Sequence, residues 1–264
     1  MLDADEFVSH LYTHYQLDFR LYAHNSLERR MERLFQKLCI TTITELDAAI
    51  TQNTGLIPFI INELAVGYTV FFRDAEMWPT LAKLIKDKNT DHLRIWVAGC
   101  STGEEVYSIT TLLQHLNFKE KVYILATDLN EYALHQARTA AYPLRKIELA
   151  EQNLKHCNLP ISLEQYYQID QNNALFKLPA NIEVQWQQHN LINEDYSGVF
   201  DIIYMRNLLI YFSAQLQEFV LRKVHKCMHH NSFLVLGKFE AFPIEKLGHK
   251  FSYISSEHNI LVKE

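Results

Sequence analysis

The chain has 264 residues, of which 48% are hydrophobic and 21% are charged, and its formal net charge at pH 7 is −6. A chain of this length and composition can bury a full core as a soluble globular protein, and it is long enough for one large domain or two unequal ones. The negative charge argues against broad electrostatic binding to nucleic acid, so any such contact would need a local basic patch.

The first part of the chain, residues 4–64, carries apolar residues at helical spacing and shows no strand-like alternation of any length. This pattern predicts a small domain of three or four helices, to which we assign residues 1–75. One helix is expected to begin at Ser26, a good N-cap residue, and another apolar-periodic stretch runs from Leu46 after Thr42.

Beyond residue 74 the pattern changes to short apolar runs that alternate with helical stretches, which is typical of an α/β domain with a mainly parallel sheet. The boundary is expected near residues 65–90, and residues 76–264 are assigned to the second domain. Residues 141–181 are too long and polar for a simple connection, so we predict an inserted subdomain or cover there. Strands are expected at 94–98, 122–127, 182–187, 201–205 and 233–236, and helices from Glu104, Asn130 and Ser213.

The cysteines and histidines give no sign of a metal site or a disulfide framework. Cys39, Cys100, Cys157 and Cys227 stand far apart without a C-x-x-C pair, and the histidines include no H-E-x-x-H spacing. The first residues are acidic where a secretory signal would be basic, and no apolar run approaches membrane-spanning length. We therefore expect a cytoplasmic protein with no metal and no membrane insertion.

Residues 94–108, with the sequence RIWVAGCSTGEEVYS, have the outline of a cofactor site. An apolar strand runs into a turn of small residues, where backbone can approach a ligand closely, and Asp128 ends the next apolar run, where an acid suits ribose hydroxyls. No Lys-Ser or Lys-Thr follows the second glycine, and the spacing is not G-x-G-x-x-G, so a phosphate-binding loop is disfavoured. A nucleoside without phosphates, such as S-adenosylmethionine (SAM), fits this turn.

Seven short blocks that span nearly the whole chain now point to one family. They are SLERR at 26–30, TVFFRD at 69–74, CSTGEE at 100–105, ATD at 126–128, HNL at 189–191, FD at 200–201 and RNLLIYF at 206–212. In this order the chain resembles the CheR-type chemotaxis methyltransferases, which move a methyl group from SAM to glutamate side chains of chemoreceptors. The resemblance implies a Rossmann-like class I methyltransferase sheet with a small N-terminal all-helical domain, and S-adenosylhomocysteine (SAH) as the product.

The predicted catalytic residues are Arg73, Arg206 and Tyr211. In methyl transfer to a carboxylate a sulfonium cation meets an anion that is already the nucleophile, so a dry, preorganised site speeds the reaction without a strong base. An arginine fork suits the holding of a carboxylate, and we assign this role to the two arginines. In the family the tyrosine lies beside the reacting centre, where its hydroxyl or its ring can contribute.

The resemblance also assigns the cofactor contacts along the chain. Two residues serve the amino-acid end of SAM, one serves the turn, one the ribose, two flank the adenine, and two follow a strand end. In that order they are Thr69 and Arg73, Glu104, Asp128, Asn190 and Leu191, and Arg206 and Asn207.

Five of these residues also have an ordinary structural interpretation. Arg73 can cap a helix or pair with the aspartate beside it, and Glu104 can complement a helix dipole. Asp128 fits an N-cap for the helix from Asn130, Asn190 resembles a turn residue, and Tyr211 fits a core position.

The first helical domain carries four cations that we predict to contact the receptor's methylation helices, as the resemblance implies. Three of them recur every four residues on one helix face and the fourth is adjacent. They are Arg29, Arg33, Lys37 and Arg30. The alternative is a solvated face balanced by Glu28 and Glu32.

The chain departs from the family pattern at Gly67, at Val106, and over residues 230–240, where we expect a weakened end of the site. Because of these departures, a second interpretation of the function remains, in which the protein is a SAM-binding regulatory module that no longer transfers methyl groups. A methyltransferase acting on a small molecule or RNA is a third reading, disfavoured by the acidic charge and the helical domain. Members of the family that bind a receptor's C-terminal pentapeptide resemble one another in a glycine-containing loop of the insertion. No glycine occurs here between Gly103 and Gly198, so we predict weak or no pentapeptide binding.

Overall fold

The structure, a computed structural model, describes residues 3–64, 69–88, 90–196 and 198–264, with only the backbone described at Asn25 and Ser26. Four helices form the first domain, as the apolar periodicity predicts: α1 (Ala4–Tyr15), α2 (His24–Leu38), α3 (Ile43–Gln52) and α4 (Leu56–Leu64). They pack around a core of fully buried side chains that includes Phe7, Leu11, Leu34 and Leu46.

The start of α2 differs from the prediction, because the helix begins at His24 and not at Ser26. The N-cap residue, Ala23, has no side chain that could accept a hydrogen bond from the helix. The backbone N–H of Ala23 donates to the carbonyl of Tyr211 at 2.7 Å. A contact with the second domain therefore fixes the chain before this helix, whereas Thr42 caps α3 through a capping box with Glu45.

The second domain contains the remaining elements. In chain order they are α5 (Met77–Asp87), β1 (His92–Ala98), α6 (Glu104–His115), β2 (Lys121–Asp128), α7 (Glu131–Thr139), β3 (Ala141–Pro143), α8 (Leu144–Lys155), β4 (Tyr167–Asp170), β5 (Asn173–Phe176), β6 (Ile182–Gln188), β7 (Phe200–Met205), α9 (Ala214–Lys226), β8 (Met228–Leu236), α10 (Ile244–Leu247), β9 (Phe251–Ser255) and β10 (Ile260–Lys263), with 3-10 turns at Leu163–Gln165 and Leu209–Tyr211.

Seven strands form the main sheet in the order β6-β2-β1-β7-β8-β10-β9. The first five are parallel to one another, and β10 is antiparallel to both of its neighbours. This arrangement confirms the predicted Rossmann-like α/β class. The sequence prediction missed the short β9 and β10, and it placed the start of β8 five residues late because Met228–Ser232 is mostly exposed and polar.

The predicted insertion contains a small antiparallel sheet, in the order β3-β5-β4, together with α8. It packs on the segment that joins the two domains: the Phe176 ring stacks on Phe71 with centroids 5.0 Å apart, and the Asn153 amide donates to the Phe71 carbonyl at 2.8 Å. The insertion therefore supports the junction block, while the exact domain boundaries assigned above remain a prediction.

The chain runs from β1 outward through β2 to β6 and then returns to the other side of β1 at β7. Ligands of open α/β sheets bind at the carboxyl ends of the strands beside such a switch point. The turns after β1, β2 and β7 are therefore the expected walls of a site. No helix in the described part of the chain has both the length and the hydropathy of a membrane span.

Candidate active site

An open cavity lies at the carboxyl ends of β1, β2 and β7, and it encloses about 980 Å³ when the solvent at its mouth is included. Every residue predicted for the site lines it except Glu104. They are Thr69, Arg73, Asp128, Asn190, Leu191, Arg206, Asn207 and Tyr211. Residues that lie more than a hundred positions apart in the chain are thus brought together around one cavity.

The small-residue turn after β1 forms one wall. Gly99 and Gly103 have φ angles of 75° and 88°, in the region that favours glycine. The N–H groups of Gly99 and Cys100 donate to the carbonyl of Thr127 at 2.8 and 2.9 Å, which ties the turn to the end of β2. A Cβ at Gly103 would lie 2.7 Å from the Cβ of Ala137, so only glycine lets α6 approach α7 this closely.

Asp128 connects this turn to the next one. Its carboxylate accepts the N–H of Ser101 at 2.8 Å and the N–H of Asn130 at 2.9 Å, and burial raises the pKa of the carboxyl. The N-cap interpretation of Asp128 is wrong, because Asn130 caps α7 by accepting from the N–H groups of Tyr132 and Ala133. Asp128 therefore stabilises the turn through these hydrogen bonds, and it lines the cavity.

The two glutamates at the start of α6 point to different places. Glu104 is fully buried and forms an ion pair with Lys146 of the insertion, and its second oxygen accepts from the Thr102 hydroxyl at 2.6 Å. Its side chain does not reach the cavity lining, whereas Glu105 does. The cavity contact predicted for Glu104 is therefore made by Glu105. Neighbouring side chains on a helix point about 100° apart, so only one of the two glutamates can face the cavity.

Arg206 is held by two carboxylates. Its side chain is 1% exposed; one terminal nitrogen donates to Glu105, and the other donates to Asp74 at 2.5 Å and to the carbonyl of Arg73 at 3.3 Å. Burial lowers the pKa of the guanidinium, but these carboxylates outweigh it and hold the pKa above its ordinary value. Because both terminal nitrogens already have partners and only Nε lacks one, the geometry does not favour the predicted role of Arg206 in holding a substrate carboxylate with its fork.

Arg73 follows two buried aromatic residues. Phe71 and Phe72 are buried in the core, and the N–H of Phe72 donates to the Ser108 hydroxyl at 2.9 Å. Phe72 and Asp74 both have φ near 50°, a conformation that costs a non-glycine residue about 1 kcal/mol or more and that clusters at functional sites. Asp74 pairs with Arg206, and the half-buried Arg73 faces the cavity.

Glu240, which the sequence analysis did not single out, holds the loop after β7. Its carboxylate is buried and accepts four backbone N–H groups, those of Asn207 at 2.8 Å, Leu208 at 2.7 Å, Leu209 at 2.6 Å and Gly237 at 2.5 Å. Glu240 therefore holds the loop after β7 in place, while the effect of the other departures at residues 230–240 on the site remains a prediction. The available signal was an acidic residue shortly after a buried strand.

The other two departures have different outcomes. Val106 is fully buried within α6, which begins normally at Glu104, so this substitution is accommodated in the core. Gly67 lies outside the described residues.

The adenine end of the predicted site is built by residues 189–192. The side chain of Asn190 accepts the N–H groups of Ile192 at 3.0 Å and Asn193 at 3.3 Å, as its interpretation as a turn residue predicts, and Leu191 adds an apolar wall. His189 is an addition from the structure: its side chain is 3% exposed and lines the cavity, and burial lowers the pKa of its imidazole. The ring is therefore neutral at pH 7.

Unpartnered polar atoms are concentrated around this cavity. Of the buried side-chain nitrogen and oxygen atoms that lack a hydrogen-bond partner among the described residues, most belong to cavity-lining residues. They are Ser101 Oγ, both ring nitrogens of His189, Arg206 Nε and Asn207 Oδ1. Because a buried polar group left unpaired costs roughly 1–3 kcal/mol, this concentration indicates a polar ligand. A nucleoside with an amino-acid tail fits such a lining.

The helical domain closes one side of the cavity. Tyr22 lines it and pairs with Phe212 as an isolated β-bridge, and the N–H of Ser213 donates to the carbonyl of Leu21 at 2.9 Å. Across the cavity the Asn130 amide donates to Asn62 of α4 at 2.7 Å. Tyr211 is half-buried at this seam, so its interpretation as a core residue is replaced by a position in the cavity wall.

The four cations of α2 do not share one environment. Arg29, Arg33 and Lys37 are exposed, and Lys37 pairs with Glu63 at 2.8 Å. Arg30 is instead half-buried and lies over the ring of Tyr211. The predicted basic face therefore consists of three cations and not four, because the adjacent position turns toward the second domain. The described residues contain no group of three or more His, Cys, Asp or Glu side chains that could hold a metal ion.

Comparison with known proteins gives a consistent result. The family model described as CheR methyltransferase, SAM binding domain, matches residues 68–260, and that of the CheR methyltransferase all-alpha domain matches residues 2–65. The chain is 27% identical to a putative methyltransferase, Cher3, of Pseudomonas putida over 96% of this chain and 93% of the relative.

Two further relatives carry the name chemotaxis protein methyltransferase. One, number 2 of Pseudomonas aeruginosa, is 30% identical over 81% of this chain and 77% of its own length. The other, from Borreliella burgdorferi, is 29% identical over 81% and 79%. With both family models in sequence order and a cavity that suits the cofactor, the chain belongs to the CheR methyltransferase family and is a SAM-dependent methyltransferase.

Proposed function

We propose that this protein transfers the methyl group of SAM to glutamate side chains of chemoreceptors in the cytoplasm, giving methyl esters. The observation that carries the proposal is the position of Arg73 and Tyr211 on the wall of a cavity lined with unpartnered polar atoms, at the seam with a helical domain that bears exposed cations. An anionic substrate delivered by that domain would meet a cation and a phenol at the same opening.

The residues proposed to hold SAM can be grouped by the part of the cofactor that each one contacts. Asp128 offers its carboxylate to the ribose hydroxyls, His189 and Leu191 border the adenine, and Thr69 and Arg73 serve the amino-acid end. SAM supplies the electrophilic methyl group and leaves as SAH.

The charges around Arg206 favour a cationic ligand. Glu105, which lines the cavity, and the half-buried Asp74, which does not, carry two negative charges against the one positive charge of Arg206, so this group has a net charge of −1. Both the sulfonium and the amino group of SAM are positive, and charges interact more strongly in a desolvated site than in water. We infer that Arg206 fixes the two carboxylates in place and does not itself hold the substrate.

The protein must also orient an oxygen of the substrate glutamate in line with the bond between the sulfur and the methyl group of SAM, which is the bond that breaks. The glutamate is ionised at neutral pH, so no residue has to remove a proton. Arg73 donates to the oxygen that does not react, and Tyr211 donates its hydroxyl to the same carboxylate or presents its ring to the sulfonium. Tyr22 and Phe212 exclude water from the seam, where neutralisation of the two opposite charges is then faster.

Arg29, Arg33 and Lys37 are proposed to contact the acidic methylation helices of the receptor. All three side chains are exposed, and long-range attraction of a negatively charged helix raises the association rate. We also propose that the insertion binds a receptor pentapeptide weakly or not at all.

The test is methyl transfer from radiolabelled SAM to purified cytoplasmic fragments of chemoreceptors. We expect incorporation that is released as methanol in mild base, because methyl esters hydrolyse there whereas N-methyl and ether products do not. SAH binding measured by calorimetry without transfer to any fragment would favour the regulatory module. Base-stable label on RNA or a small molecule would favour the third class.

A further inference from the structure

We propose that Arg30 of α2 is a positioning residue for methyl transfer, which acts by holding the ring of Tyr211 at the cavity. The inference rests on the proposed function for its catalytic meaning, but the contact itself belongs to the fold. It gives the helical domain a second role besides recognition, because one of its own side chains then sets the geometry of the reaction site.

The position of Arg30 distinguishes it from the other cations of α2. Its guanidinium carbon lies 4.6 Å from the centroid of the Tyr211 ring, and one of its nitrogens donates to the carbonyl of Leu64 at the end of α4. The guanidinium is thus held by a backbone acceptor and by an aromatic face, and it is half-buried, which strengthens a cation–π contact because the contact gains as water is excluded.

The charge of Arg30 is not neutralised by a nearby acid. Within the described ranges no aspartate or glutamate forms an ion pair with it, whereas Arg206 has two such partners. Burial lowers the pKa of Arg30, although an arginine remains charged at neutral pH. A positive charge behind the Tyr211 ring therefore adds to the attraction that an incoming carboxylate experiences at this wall.

The backbone supports the same contact. The N–H of Ala23, just before α2, donates to the carbonyl of Tyr211, and Tyr22 pairs with Phe212. The main chain of Tyr211 is thus bound by the segment that leads into α2, and its ring is contacted by α2 itself. A residue with two rotatable side-chain bonds is held from two directions, and a misplacement of about 1 Å in a reacting group can cost on the order of a hundredfold in rate.

The first experiment compares kcat and KM for a receptor fragment in Arg30→Gln, Arg30→Lys and Arg33→Gln. Arg30→Gln is expected to lower kcat on the order of tenfold with KM for the fragment nearly unchanged. Arg30→Lys should recover most of kcat, because an ammonium keeps the cation–π contact. Arg33→Gln should instead raise KM. Arg222→Gln, which removes an exposed charge on α9, is the neutral control.

A double-mutant cycle tests whether Arg30 acts through Tyr211. In a Tyr211→Leu background, Arg30→Gln should have little further effect on kcat, because the ring that it positions is gone. Additive losses, or an Arg30→Gln variant that changes only KM, would assign Arg30 to receptor docking and overturn the inference.

A readout that needs no methyl transfer separates this inference from the proposed function. Fluorine NMR of 3-fluorotyrosine incorporated at position 211 should show a shifted resonance in Arg30→Gln and a resonance near its original position in Arg30→Lys. SAH affinity should be unchanged in both. An unaltered resonance in Arg30→Gln would refute the positioning role even if the wild-type protein proves active, and a protein that methylates no receptor would refute the proposed function even if the resonance moves.

Discussion

The two halves of the main sheet use their polar groups in opposite ways. Beyond the carboxyl ends of β1, β6 and β7, Ser101, His189 and Asn207 hold buried polar atoms without partners among the described residues. At the antiparallel end, Lys263 donates to two backbone carbonyls, at 3.0 and 2.8 Å, and Asn259 donates to two more, at 2.9 and 2.6 Å. The first region keeps hydrogen-bonding capacity for a ligand, whereas the second uses it for its own stability.

This contrast predicts which variants lose activity and which lose stability. Substitutions in the cavity half should change turnover or cofactor binding more than the free energy of unfolding, and substitutions in the antiparallel half should do the reverse. Glu240 lies between the two, since it follows β8 but binds the loop after β7.

The largest effect is expected for Arg73→Ala. Loss of the cation that orients the substrate should lower turnover by about a hundredfold or more, because the carboxylate is then free to adopt unproductive positions. Methyl transfer to a receptor fragment measures it, and the melting temperature should remain close to that of the wild type. Wild-type rates from this variant would remove Arg73 from the mechanism.

Glu240→Gln should lower both the free energy of unfolding and the affinity for SAH. An amide presents one acceptor oxygen where the carboxylate presents two, so some of the four N–H groups meet an NH₂ group instead. We expect a loss of about 2 kcal/mol in the free energy of unfolding, and weaker SAH binding because Asn207 shifts. Urea denaturation and calorimetry measure the two effects, with the exposed Glu245→Gln as the control. A fully stable variant with normal affinity would contradict the assigned role of this clamp.

Asp128→Asn should reduce SAH affinity by about tenfold, or roughly 1.4 kcal/mol, with a smaller effect on stability. The sharper measurement compares SAH with its 2′-deoxy analogue. The wild type should prefer SAH, and the variant should lose that preference because the carboxylate that accepts from the ribose is gone. An equal preference in both proteins would place the ribose elsewhere.

The parts of the site that the sequence predicted are those contained in contiguous segments. The turn at residues 99–105 and Asp128 at the end of β2 could be identified because a strand, small residues and an acid stand next to one another. The helix and strand periodicities gave the order of most elements for the same reason.

The missed features depend on residues that meet only in the folded chain. Glu240 binds the N–H of Asn207 from 33 positions away, and Arg206 binds Glu105 across 101 positions. The inward orientation of Arg30 depends likewise on Tyr211, in the other domain. Spacing along a helix predicted one basic face, but it could not show which cation a second domain would cover.

The smallest effect concerns His225 at the end of α9, in the antiparallel half. Its ring packs edge-on against Phe251 at 5.3 Å, and burial, together with the charges of Lys263 and Lys250 and nearby His249, lowers the pKa of the imidazole from 6.5 to about 4. Between these two values the unfolded chain binds a proton that the folded chain does not, so the free energy of unfolding should fall as the pH decreases through this window. After allowance for the partial exposure of the ring, we expect a loss of about 1 kcal/mol between pH 7 and pH 5 that His225→Gln largely abolishes. Urea denaturation at the two pH values measures it, with the exposed His229→Gln following the wild-type curve. SAH affinity at pH 7 should be the same in all three proteins, and a change of affinity in His225→Gln would show that the two halves of the sheet are coupled and not separate.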